Sequence, residues 1–200
     1  MNSGITTALI GVGATIAGTV LGWVLNNLSN RGKLNIYVSF WEDEFNYTND
    51  VGDIVSCSKR EEVQNYTYKV SFDLYNSSGN TKIMRNIKIV FSDGKNDIKA
   101  ETPKDDATQR FSYNRVVYDK VEPINIPPKA VVKLVLHEGM WDQNGELDYI
   151  WKTKKVYLLY NDEKNKIKRI FIKSEDYENY FMNHKLEEKD NGQAQDADGE

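Results

Sequence analysis

Leu34-Asn35-Ile36-Tyr37-Val38-Ser39-Phe40 decides the fold, because apolar side chains at positions 34, 36, 38 and 40 alternate with Asn35, Tyr37 and Ser39. Successive side chains of a strand point to opposite faces, so this spacing predicts a half-buried strand with Leu34, Ile36, Val38 and Phe40 turned to the core. The same period returns at Tyr66, Tyr68, Val70, Phe72 and Leu74, and again at Ile83, Ile87, Ile89 and Phe91, with Arg85 on that face. Further strands are predicted over residues 111–118, 130–137, 149–160 and 167–173. Between them lie Ser77-Ser78-Gly79-Asn80, Asp93-Gly94, Asn144-Gly145 and the polar run 161–165, whose residues suit tight turns.

Strands separated by turns, with no amphipathic helix between them, point to antiparallel packing rather than βαβ units. The expected fold is therefore an all-β soluble domain, an antiparallel immunoglobulin-like sandwich of about seven or eight strands spanning residues 34–173. Pro123, Pro127 and Pro128 suit an edge or crossing segment, where ladder donors are not needed. After the last strand, Ser174 can cap a short helix over residues 174–186 that lays Tyr177, Tyr180, Phe181 and His184 on the sandwich. The acidic stretch 187–200 has nothing to bury and is expected to be disordered.

Toward the N-terminus the chemistry changes. Residues 2–30 carry no charge, and residues 5–25 are apolar or small, about the 20 residues a bilayer core requires. The expectation is a four-residue leader (1–4), one transmembrane helix (5–28) and a juxtamembrane linker (29–33). No Lys or Arg precedes the helix, whereas Arg31 and Lys33 follow it and Trp23 suits the headgroup interface. The positive-inside rule then places the N-terminus outside and the sandwich in the cytoplasm, at the face of a bacterial cell membrane. Gly11, Ala14, Thr15, Gly18 and Gly22 share one helical stripe, and a smooth small-residue stripe lets helices of two copies approach closely, giving a homo-oligomer.

Net charge is -4 and the pI about 5.4, so no broad basic field favours phosphate backbones and nucleic acid is not an expected partner. Phosphate-cradling Gly motifs, a nucleophile elbow and paired zinc ligands do not occur outside the glycines of the N-terminal helix. Cys57 is alone and reads as a small apolar residue, and His137 and His184 read as packing or surface residues. The acidic runs Glu42-Asp43-Glu44 and Asp142-Gln143-Asn144-Gly145-Glu146-Leu147-Asp148 read as solvated turns, because the second lacks the ligand order of a calcium loop. Trp41, Tyr47, Tyr66, Trp141, Tyr149 and Trp151 suit either a recognition surface or strand packing.

No catalytic, cofactor or metal site is expected. The reading is a membrane-anchored binding or scaffold module, with the lipid bilayer and an unidentified protein as partners. The alternatives are a small phage- or defence-related membrane effector whose Gly-rich helix oligomerises, and an enzyme without a familiar motif.

Overall fold

The computed structural model describes residues 3–181, with backbone alone for residues 3–10. A long helix α1 (Ser3–Asn30) leads into strands β1 (Leu34–Thr48), β2 (Ile54–Ser56), β3 (Asn65–Asn76), β4 (Lys82–Ser92), β5 (Asp97–Glu101) and β6 (Lys104–Asp105). They are followed by β7 (Arg110–Ser112), β8 (Arg115–Val117), β9 (Ile124–Ile126), β10 (Val131–Trp141), the one-turn helix α2 (Asp148–Trp151), β11 (Lys155–Asn161) and β12 (Ile167–Ser174). One sheet runs β2-β1-β3-β10-β6 and the other β12-β11-β4-β5, with β9 beside the start of β4. Every pairing is antiparallel, as expected of the sandwich. β7 and β8 form a separate ribbon turned by Tyr113 and Asn114, both at positive φ. Residues 111–118 are thus two short strands rather than the single one the pattern predicts.

Tyr66, Tyr68, Val70, Phe72 and Leu74 of β3 face Met84, Ile87, Ile89 and Phe91 of β4 and Val156 and Leu158 of β11 in one closed core. Each such side chain contributes about 1.5–3 kcal/mol by leaving water. Two bulges reset which residues take part. In β1 the register slips between Val38 and Phe40, so the face changes phase. Phe40, expected inside, is 39% exposed, while Trp41 stacks on Tyr68 at 5.0 Å and Phe45 is buried. In β4 the partner register shifts at Asn86, held at φ 51°. Met84 rather than Ile83 therefore fills the core, and Arg85 reaches out to the Asp162 carbonyl at 3.2 Å.

Two further expectations change. Residues 149–160 begin as α2 and only become a strand at Lys155, because the chain turns at Gly145 and closes helical bonds such as Ile150 N–H to Leu147 O, 2.9 Å. The segment after β12 is described as a 3-10 turn, Tyr177–Asn179, which buries Tyr177 and packs Tyr180 and Phe181 on the core. His184 and the acidic tail lie outside the described residues.

Among the described residues no helix is long and apolar enough to cross a membrane, so the transmembrane helix expected over residues 5–28 is not obtained. The described part of α1 dilutes Val12, Ile16, Val20 and Leu25 with Gly, Thr, Asn26 and Asn27. Those apolar side chains nevertheless stand in the open, Leu21 being 61% and Leu25 65% exposed.

The lower end of α1 is fastened to the β3–β4 loop by main-chain contacts. Ser77 N–H donates to Lys33 O (2.9 Å), Lys33 N–H to Ser77 Oγ (2.9 Å), and Gly79 N–H to Ser29 O (2.8 Å), satisfying a carbonyl the helix end leaves open. The fit leaves no room for a side chain at Gly32, where backbone stands in the way, and none at Gly79 unless the tips of Ser29 and Asn30 move. A Cβ on Gly32 would stand 2.2 Å from Ser77 O, and one on Gly79 2.8 Å from Ser29 Oγ and Asn30 Oδ1. Beneath this clamp, the fully buried Asn76 points its amide nitrogen at the carbonyls of Asn80, Ile126 and Pro127, while its oxygen accepts from Ser78 N–H and Oγ–H.

Candidate functional site

Pairing across β1, β3 and β10 assembles a polar cleft on the outer face of the first sheet. Glu42 lies opposite Lys69, which lies opposite His137, and Glu44, Thr67 and Gly139 form the next row. Residues facing one another across neighbouring strands share a face, so side chains far apart in sequence line one hollow. Its volume is about 450 Å³. Gly139 supplies the depression, since a side chain there would meet Thr67 Cγ2 at 3.4 Å. Asp106, on the 3-10 turn after β6, leans over the rim with Lys69 Nζ at 3.2 Å and His137 Nδ1 at 3.4 Å. The edge of Tyr118 closes on the His137 ring at 4.3 Å.

Burial pushes the His137 imidazolium below its ordinary range, against the pull of Asp106, and favours a neutral ring. A neutral imidazole carries one donor and one acceptor, and Nδ1 is buried beside Asp106 without a hydrogen bond. Lys69 and Asp106 neutralise each other, and Glu42 and Glu44 remain exposed on the opposite wall, Glu44 accepting from Ser56 Oγ–H. The cleft therefore offers carboxylate acceptors along its Glu42–Glu44 wall, a set suited to binding a cationic polar group.

Directly behind it, inside the sandwich, Glu138 holds Lys104 at 2.8 Å and also Lys120. Burial works against its charge, but the two lysine hydrogen bonds prevail and keep its carboxyl below the ordinary value. Glu101 faces the Tyr68 hydroxyl; burial, with the charge of Glu138, pushes its carboxyl up. Asp43, brought inward by the β1 bulge, accepts from Tyr66 Oη–H at 3.0 Å and from Tyr177, with Lys173 Nζ at 3.5 Å. Burial raises both phenols well above their usual range, so they act as donors that tie the C-terminal turn to the core.

The residues singled out in the sequence are scattered. Gly11, Gly18 and Gly22 have open space where a Cβ would stand, and Ala14 is exposed beside them. Thr15 returns its hydroxyl to Gly11 O at 2.9 Å, and Trp23 is 66% exposed. Arg31 and Lys33 are exposed below the helix. Cys57 donates to Lys59 O and its thiol is pushed up by burial, an unreactive setting. Of the aromatic candidates, Tyr66, Trp41 and Trp151 pack into the interior rather than forming a recognition surface, whereas Trp141 is 46% exposed. The run 142–148 is a turn, with Leu147 N–H on Asp142 Oδ1 at 3.3 Å, while Asp43 is an internal anchor rather than a solvated residue. Glu138 and Gly139 carried no sequence signal, because the predicted strand ended at His137 whereas β10 runs on to Trp141.

Two antiparallel sheets around one core, with a polar outer face and a motif-free interior, define an immunoglobulin-like domain. The chain belongs to the YopI Ig-like domain family, whose match covers residues 32–173. It is similar to the SPbeta prophage-derived uncharacterized protein YopI of Bacillus subtilis (strain 168), 27% identical over 173 residues that make up 84% of this chain and 92% of that protein. Among solved structures, the Bordetella pertussis protein described as ApaA aligns with a TM-score of 0.33 and 9% identity, over 71% of this chain and 91% of that one. A structural-genomics target aligns at 0.30 and 14% identity, over 69% and 81%.

Proposed function

We propose that this protein is a tethered binding module, its sandwich held at a membrane by α1 and its outer-sheet cleft taking a cationic group such as an amine or a lysine side chain. One observation carries the reading: α1 is uncharged, its described apolar residues are exposed on every side, and it is clamped without slack to a domain that buries none of them. Apolar side chains exposed all round an uncharged helix favour cover by lipid or by other helices. Arg31 and Lys33, just past the helix, favour a cytoplasmic sandwich. The open stripe at Gly11, Ala14, Thr15, Gly18 and Gly22 supports packing between copies of the chain.

Thiol labelling tests the attachment and its side together. In a Cys57→Ser chain with Asn191→Cys as the sole thiol, the protein should stay with membranes through alkaline carbonate washing, and an impermeant maleimide should label it only after lysis. Release by carbonate removes the attachment. Labelling of intact cells reverses the orientation.

The prophage origin of the Bacillus subtilis relative favours a second reading, a membrane-active effector assembled through the same stripe. Gly18→Leu with Gly22→Leu would then abolish both crosslinked oligomers and any growth arrest on expression. A growth arrest that persists without oligomers rules this version out.

A further inference from the structure

The end of the sandwich from which α1 departs gathers basic residues from separate parts of the chain. Arg31 and Lys33 follow the helix, Lys129 donates to Ser77 O at 2.6 Å within the clamp, and Lys164 and Lys166 sit on the β11–β12 turn. One hollow of about 300 Å³ joins Gly32 and Lys33 to Lys82, Asp162, Glu163 and Lys168, so these segments share a single face. Both acids there are already engaged. Glu163 pairs with Lys82 at 2.7 Å, and Asp162 accepts from the backbone of Lys164 and Lys166 and faces Lys168 at 3.6 Å. Arg31, Lys33, Lys129, Lys164 and Lys166 are all exposed and form no ion pair with another described residue. The far end is mixed, with Asp93, Asp142, Glu146, Asp148, Asp176 and Glu178 on its loops beside Lys95, Lys152 and Lys154.

A chain of net charge -4 thus sets five exposed cations, none in an ion pair with another described residue, around the root of its exposed apolar helix. From this juxtaposition we infer that the helix-exit face of the sandwich docks on anionic lipid headgroups. Resting on the membrane reading above, the inference adds which lipids are recognised and by which face. Cations at a bilayer surface gain from the anionic leaflet only within about a Debye length of roughly 10 Å, so they act only if this end lies on the headgroups. The clamp at Gly32 and Gly79 imposes that, because it leaves no linker between the end of α1 and this face.

The test uses the full chain with vesicles of phosphatidylcholine alone and of phosphatidylcholine mixed with phosphatidylglycerol. The parent should bind the mixed vesicles more tightly, with the difference shrinking as salt is added. Lys164→Gln with Lys166→Gln should weaken binding to mixed vesicles by about 25-fold, at roughly fivefold per cation, and leave binding to neutral vesicles unchanged. Lys95→Gln with Lys152→Gln, the same charge change at the far end, should alter neither. Equal binding of the parent to both vesicles, or equal loss from the two double variants, overturns the docking face while leaving the attachment intact. Failure to bind either vesicle overturns the attachment and this inference with it.

Discussion

The two ends of the sandwich are held by different physics. At the helix end, Asn76, Ser77 and Ser78 organise main chain with directional hydrogen bonds, and Gly32 and Gly79 let backbones touch. At the far end, Phe45 stands among Tyr66 (4.9 Å), Trp151 (4.8 Å), Tyr180 (4.9 Å) and Phe181 (5.5 Å), with Arg60 over the Trp151 ring at 4.6 Å. Aromatic packing supplies bulk stability and tolerates small shifts in angle. Hydrogen bonds and close backbone contact define an angle and tolerate almost none. Stability is concentrated at one end and orientation at the other.

The largest effect should come from Phe45→Ala, which empties the centre of the aromatic cluster and should lower unfolding free energy by about 3–5 kcal/mol in urea titration. Asn76→Ala should follow at about 3 kcal/mol, because it strands several buried polar groups together; a loss below about 1 kcal/mol would mean water replaces the amide and the directional end is softer than described. Gly32→Ala sharpens the contrast. Its cost should be about 2 kcal/mol, spent on pushing the clamp apart, and amide exchange should quicken at Gly79 while Trp151 fluorescence stays unchanged.

The smallest effect is pH dependent. Glu101 has its carboxyl raised in the folded state, so ionising it costs stability as pH climbs from the unfolded value of about 4.3 upward, and that cost is absent below it. Glu101→Gln should therefore stabilise the protein at pH 7 by about 1 kcal/mol or less and bring no gain near pH 3. Glu138, with its carboxyl lowered, runs the other way: its contribution is present above the ordinary carboxylate range and lost as pH falls through its folded value. A gain from Glu101→Gln that persisted at pH 3 would locate the effect in packing rather than charge.

Alternation made β3 legible along its whole length, because nothing interrupts its period from Tyr66 to Leu74. It misassigned Phe40 and Ile83 for one reason. A single-residue bulge exchanges the faces of everything beyond it, and the only local trace in β1 is that apolar residues resume at Trp41 and Phe45 instead of at even positions. Asp43 looked like part of a solvated acidic run, yet that exchange of faces carries it inward to Tyr66 and Tyr177. The cleft was hidden more deeply, since Glu42, Lys69 and His137 meet only through the register of three strands. The turn at Ser77-Ser78-Gly79-Asn80 was readable from its composition. Its grip on α1 was not, because main-chain contact between distant segments leaves no residue pattern beyond two glycines.

Those two glycines also fix a heading. With no slack between α1 and the β3–β4 loop, the sandwich turns with the helix as one body. Inserting a single residue between Gly22 and Ser29 would advance the helix by about 100° and swing the Glu42–His137 cleft by the same angle relative to the Gly11–Gly22 stripe. In any assembly built on that stripe, the compass direction in which each cleft faces is written into the length of the helix.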